Sequence, residues 1–494
     1  MKNRARGSAP RKSRAVAALL AALHAAWVAL IVAAPLAAAW LASSLAAHSG
    51  GSARLAAASG LLVFPALPAL WEGASAWRRA RKAKPRPRVL TLTDRMVLRT
   101  LVVSLALVGG LLAYSPRRAF VALNSRGDWM LDGRHDPRAE SLRRSVFWLA
   151  ARSEWLYRLT DDNPFHDDGT PRPAPHPAPS PTAEYAPPTR GAQPEPEPAP
   201  EPPRDPRAWP WPDEMHPAVR AMPASVETSP EAVGRYLAAQ ERDPWRLARA
   251  VHDYVADRVV YDVESYRAGV YPPQDALTTF RTRRSVCAGY AALFEAIGRA
   301  AGLTVETIVG RARGVVREGM GEGHAWSAVK LDARWRLVDT TWDAGYVSAD
   351  GFHKRYRTEY FLTPPEVFLA KHFPDEARWQ LVDRPRSPGE YLRAPALDPG
   401  FFAAGLRLVS PDRAESDARG ELRVVLENPR RRSVMVEVSA EGGPRSRCPT
   451  TPSGDTLTAR CALRGSDLHE VTIFTAPRRH EMHWSVGSLR VHNR

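Results

Sequence analysis

Three residues combine reactive side chains with a spacing suited to nucleophilic chemistry: Cys287, His324 and Asp339. In SVCAGYAALFEAIGRAAG (285–302), Ala288, Ala291, Ala292, Leu293, Phe294, Ile297 and Ala301 recur at helical spacing, and Gly302 suits a helix C-cap. Cys287 then falls at a helix N-terminus, where unpaired N–H groups and the helix dipole favour a thiolate. A lone cysteine in such a place is more often structural, so other groups must decide. In GEGHAWSAVKLDARWRLVDTTWD (321–343) two strand-like runs flank a turn centred on Asp332 and Ala333. That symmetry sets Trp326 opposite Asp339. His324, two residues away on the same face, becomes a diagonal neighbour of the carboxylate at about 7–8 Å between Cα atoms. Cysteine, histidine and aspartate so arranged are the parts of thiol acyl transfer: a nucleophile, an acid–base and its orienter. An oxyanion hole would draw on the Cys287 backbone N–H. Gln274, thirteen residues earlier, is the side-chain candidate for it, a surface glutamine being the commoner case. His353 and His372 have no cysteine-rich or HExxH context, so no metal and no cofactor are assigned. Trp326, Trp335, Trp342 and Trp379 read as core, and Tyr290 as core or cleft wall.

The elements that must position these groups lie in the second half of the chain. SPEAVGRYLAAQERDPWRLARAVHDYVADRVVYD predicts two helices and a strand, with Ser229 capping the first. From about Phe401 the chain turns to short alternating runs (LRLVS, ELRVVLEN, SVMVEVSA, TLTARCAL, EVTIFTAP, SVGSLRVHN) separated by turn residues, which predicts a β-sandwich. Cys448 and Cys461 flank one turn of it and are placed to form a disulfide across a hairpin in an oxidising compartment.

The net charge of +16 is not a nucleic-acid signature. Residues 1–130 hold 19 Lys and Arg against three acids, and the remaining residues balance. The basic quarter is also the apolar one, with stretches at about 15–47, 55–77 and 97–114, each long enough for a helix to cross a bilayer. Glu72 makes the second the weakest of the three. Six basic residues precede the first stretch, one (Arg54) lies in the first loop and seven lie in RRARKAKPRPR. The positive-inside rule therefore predicts a multi-pass anchor with a cytoplasmic N-terminus and an extracytoplasmic bulk, periplasmic in a bacterium. A cleaved signal peptide is the rival reading of the first stretch. Trp and Tyr in a helical pattern after the third stretch suit an interface. Between Pro171 and Pro212, 17 of 42 residues are proline, which predicts an extended spacer.

VVYD, SVCAGYAALF and GHAWSAVKLDARWRLVDTTWD together resemble the transglutaminase-like superfamily, and EYFLTPPEVFLAKHFPDEARWQLV resembles its kyphoscoliosis-peptidase branch, over roughly residues 214–494. The resemblance implies a papain-like α+β core carrying Cys287, His324 and Asp339 as its triad, followed by a β-rich domain. The expected organisation is an anchor (1–120), a juxtamembrane helical segment (121–165), a proline-rich linker (166–213), a catalytic domain (214–395) and a β-sandwich (396–494). The expected function is acyl transfer on peptide or protein amides, as peptidase or transglutaminase in the cell envelope, with substrate and bilayer as the partners. The alternative is an inactive scaffold or adhesion module of the same fold.

Overall fold

The structure, a computed structural model, describes residues 11–81, 89–132, 134, 136–158, 163–165, 185–186, 207–315, 319–440, 443–465 and 468–493. Most of the proline-rich linker lies outside these residues. Two compact units divide the chain, residues 1–160 and 161–494.

The first unit is helical. Helices α1 (Arg11–His48), α2 (Ala53–Ala80) and α3 (Leu92–Tyr114) are long and apolar enough to cross a membrane. Each contains an 18-residue apolar window with at most two charged residues, the length and composition that a membrane-crossing helix needs. Glu72, the residue that made the second stretch doubtful, is bound within the unit. The Arg95 guanidinium of α3 donates to it at 3.0–3.3 Å, and Arg99 of α3 also pairs with it. A carboxylate among apolar helices persists because cations neutralise it. Helices α4 (Pro116–Arg126) and α5 (Pro137–Ala151) follow, and Phe120, Leu123, Phe147 and Ala150 pack with Leu41 of α1 in a small core. Trp148, Leu149 and Trp155 stay exposed.

The second unit has an α+β core and a β-sandwich. In the core, the two expected helices form as α6 (Pro230–Gln240) and α7 (Pro244–Arg258), with the Ser229 hydroxyl accepting the Ala232 N–H. Helix α8 (Cys287–Ala300) completes the layer, and Gly302 beyond it takes a left-handed φ of 89°. Strands β1 (Thr304–Ala312), β2 (Glu322–Leu331), β3 (Arg334–Val338), β4 (Phe361–Thr363) and β5 (His372–Pro374) form an antiparallel sheet in the order β5-β1-β2-β3-β4. Alternation along β2 sends Val329 and Leu331 into the core shared with the helices, while Trp326 and Ala328 join Ile308, Leu337, Phe368 and Trp379 in a second cluster. Residues 207–213 belong to the core rather than to a spacer: Trp211 packs against it and the Trp209 indole donates to the Glu359 carbonyl.

The sandwich pairs two sheets. One contains β6 (Arg407–Ser410), β7 (Glu421–Glu427), β8 (Thr450–Ser453) and β9 (Thr456–Ala462) in the order β6-β7-β9-β8; the other is built on Leu468–Ala476 between Ser433–Ala440 and His483–Asn493. Cys448 and Cys461 form a disulfide with Cα atoms 4.6 Å apart. The Cys448 N–H donates to Val436 of the opposite sheet, so the bond sits where the chain passes between layers.

Candidate functional site

Helix α8 starts at Cys287 with Val286 in the N-cap position, and no side chain caps it. The helix is fixed from within: Gly289, Tyr290, Leu293, Phe294 and Ile297 are buried, and the Tyr290 hydroxyl donates to the Val259 carbonyl at 2.8 Å. The small side of its first turn follows from a close approach. A Cβ on Gly289 would lie 1.9 Å from Ser285 Oγ and 2.3 Å from Thr279 Oγ1, so only glycine lets the loop before Cys287 fold back onto the helix.

The hairpin carries the other two groups in the expected register. Ser327 faces Val338 and Leu331 faces Arg334, across a turn in which Asp332 and Ala333 both take positive φ, 47° and 62°. Asp339 follows β3 at once and caps helix α9 (Thr340–Ala344), its Oδ1 accepting the N–H groups of Thr341 and Trp342 at 2.9 and 3.2 Å. Its other oxygen, Oδ2, faces Nε2 of His324 at 2.7 Å. Cys287 lies close enough to His324 to act on its charge. Since Nε2 is spent on the carboxylate, Nδ1 is the nitrogen left for the sulfur. Burial alone would push the His324 imidazolium down, but the charge of Asp339 and the neighbouring Cys287 outweigh it and hold the group up at about 10. Asp339 is fully buried, yet the His324 and His372 hydrogen bonds keep its carboxyl below the usual carboxylate range.

His372 is the residue that sequence reasoning set aside. From β5 its Nε2 reaches Asp339 Oδ2 at 3.0 Å, so one carboxylate oxygen serves two imidazoles. It is enclosed by Trp326, Trp342, Tyr360 and Phe368, with ring centroids 4.1–5.3 Å away. Burial in that aromatic box, with His324 charged nearby, lowers it to about 4 against the pull of Asp339. It is a neutral donor to the carboxylate. His324, Asp339 and His372 are of metal-ligating types with ligand atoms within 4.8 Å of one another. Both nitrogens turned to Asp339 donate protons to it, and a cation would have to displace them.

Gln274 lies beside the start of helix α8 and is half-buried. Its Oε1 accepts the Val286 N–H at 3.1 Å and the Ser285 hydroxyl, and its Nε2 donates to the Pro272 carbonyl at 2.8 Å. One Nε2 proton remains. His353 takes no part in the site: it stacks on Tyr346 and bonds Ser348. Trp326 and Trp379 are core, as expected, whereas Trp342 also lines a cavity of about 300 Å³ beside His324. Tyr266, Glu322 and Arg355 wall this cavity from the core side and Trp484 and Arg445 from the sandwich. The Arg355 guanidinium lies 3.4 Å over the Trp484 ring.

Residues 231–340, which carry all three predicted groups, match the model of the transglutaminase-like superfamily. The chain carries a transglutaminase-like domain. Over 174 residues it is 35% identical to mouse kyphoscoliosis peptidase, covering 33% of this chain and 26% of that protein, and 34% identical to the human one over the same shares. A Caenorhabditis elegans Lim and transglutaminase domain protein, ltd-1, is 29% identical over 161 residues, 30% of this chain and 20% of that protein. The chain thus spans about a quarter of the length of the curated relatives it matches. Among solved structures, a TGase is 21% identical over 26% of this chain and 34% of its own, with a TM-score of 0.20. The periplasmic domain of TgpA from Pseudomonas aeruginosa is 20% identical over 26% of this chain and 49% of its own, also at 0.20. Likeness at that level carries no functional reading.

Proposed function

We propose that the transglutaminase-like domain is a thiol acyl-transfer enzyme acting on peptide or protein amides, with Cys287 as nucleophile, His324 as acid–base and Asp339 as orienter. The observation that carries the reading is the His324–Asp339 pair, 2.7 Å apart and buried, beside a cysteine at a helix N-terminus. The sulfur attacks the amide carbonyl, forming a C–S bond and a tetrahedral oxyanion. Cys287 N–H and the remaining Gln274 Nε2 proton are the candidate donors to that oxyanion. The C–N bond then breaks, His324 gives its proton to the departing amine, and a thioester remains. Water or a second amine attacks the thioester, His324 takes its proton, and the thiol is released with an acid or a new amide as product. Asp339 holds the imidazole in the tautomer and orientation that this proton traffic needs, and His372 acts through Asp339 as a positioning residue. Transfer takes place outside the cytoplasm, on a chain anchored by α1–α3.

The test is labelling of the purified chain with a chromogenic amide and with a primary-amine probe, comparing wild type with Cys287→Ala. Wild type releases the chromophore or incorporates the amine, and the variant does neither. Equal labelling in both would sink the enzyme reading and leave the scaffold alternative.

A further inference from the structure

The groove beside Cys287 already holds a piece of polypeptide. Asn163, Pro164 and Phe165 stand more than a hundred residues before the cysteine in the chain but are seated next to it. Asn163 is 4% exposed. Its Nδ2 donates to the Gly310 carbonyl at 2.7 Å and to Asp375 Oδ2 at 3.1 Å, and its Oδ1 accepts the Phe165 N–H at 3.2 Å. Gly310 lies in β1, the strand between β5 and the hairpin that carries His324, so the Asn163 bond to it ties the segment to the sheet of the site. The Phe165 side chain packs against the cluster of Cys287, Ala291 and Ala325 and lies 5.5 Å from the Tyr271 ring. Beneath the segment is Gly323, neighbour of His324. A Cβ on it would sit 2.6 Å from Asn163 Oδ1 and 2.7 Å from Pro164 Cδ, so the strand is cut away where the segment crosses it. Cys287 itself is 2% exposed.

We infer that Asn163–Phe165 is a pseudo-substrate strap: the chain's own peptide fills the groove in which a substrate peptide lies, and Phe165 occupies a subsite for a large apolar or aromatic side chain. The inference rests on the reading of Cys287 as the nucleophile. Polar anchoring of a buried asparagine, an aromatic ring against the thiol's cluster and a glycine-cut floor are three independent features of a peptide site. All three are used by a peptide that is not a substrate. The strap must leave before an amide reaches the sulfur, and a substrate carrying an aromatic residue next to the acyl bond competes for the same subsite.

The test is the rate at which iodoacetamide alkylates Cys287 in the full chain, read by mass spectrometry, with Cys287→Ala as background. Phe165→Ala and Asn163→Ala are each expected to alkylate at least tenfold faster than wild type while keeping its circular dichroism. Excess synthetic peptide containing Asn-Pro-Phe is expected to slow the Phe165→Ala chain again. Equal or slower alkylation in the folded variants would overturn the strap, as would failure of the peptide to protect. Should Phe165→Ala not fold, Asn163→Ala with the same peptide decides the matter. Alkylation needs only an accessible thiol, so its outcome is separate from catalysis. Fast alkylation of the variants without amide turnover would sink the enzyme reading and leave the segment as no more than a cover over the thiol; turnover with variant-insensitive alkylation would overturn the strap and keep the enzyme reading.

Discussion

Two buried histidines 5.5 Å apart at one carboxylate are shifted in opposite directions: at His324 the charge of Asp339, with Cys287 nearby, outweighs burial, whereas at His372 burial among four aromatic rings prevails. His324 is held at about 10, above its ordinary 6.5. Its proton stabilises the fold fully below pH 6.5, and that stabilisation is lost as pH rises toward 10. His372 is held at about 4, below 6.5. Above pH 6.5 it is neutral in both states. As pH falls from 6.5 through 4, the unfolded chain takes up a proton that the folded chain refuses, and stability is lost with a slope of at most about 1.4 kcal/mol per pH unit. His372→Asn keeps an N–H donor without a titrating ring. Urea midpoints of this variant are expected to fall less between pH 6.5 and 4.5 than those of wild type, with the alkaline limb unchanged. Identical acid slopes would show that His372 is not buried neutral. Nothing in the sequence marks this residue. It lies 48 positions beyond His324 and reaches Asp339 from β5, whose ladder partner is β1 and not the hairpin that carries the pair.

The hairpin was legible because its turn is local. Symmetry about Asp332 and Ala333 is a property of adjacent residues, and the observed pairs Ser327–Val338 and Leu331–Arg334 keep it. Helix α8 was legible for the same reason, its apolar spacing and Gly302 standing within one run. The contacts that complete the site join distant segments: Gln274 to Val286, Asn163 to Gly310, and the second buried network in which His252 bridges Asp253 and Asp343 at 2.9 and 3.0 Å. Asp343 also accepts the Tyr360 N–H, while Asp339 donates its own N–H to the Tyr360 carbonyl, so that network steadies the turn bearing Asp339. At α8, Gly289→Ala places a methyl group against Ser285 Oγ and Thr279 Oγ1. The expected cost is about 1–3 kcal/mol from overpacking, read as a lower denaturant midpoint, together with a loss of amide turnover as the loop from Ser285 to Cys287 moves. A variant as stable and as active as wild type would show that the close approach is dispensable.

Across the whole chain, the charge confined to the first quarter and the neutral remainder make a prediction about topology. A reporter enzyme fused to the C-terminal end of the full chain is expected to be active only when it functions outside the cytoplasm; activity from a cytoplasmic reporter would overturn the orientation. The Cys448–Cys461 bond suits that placement. It has a further consequence for fidelity of assembly. Three cysteines entering an oxidising compartment have three ways to pair, and two of them would consume Cys287. The bond observed closes a separation of 13 residues, against more than 150 for either alternative. In the unfolded chain the difference in closure entropy already favours the short loop by about 2 kcal/mol. Sorting of the thiols is thus favoured by their spacing: the short loop between the two sandwich cysteines closes at the lower entropic cost, and the proposed nucleophile is the one left over.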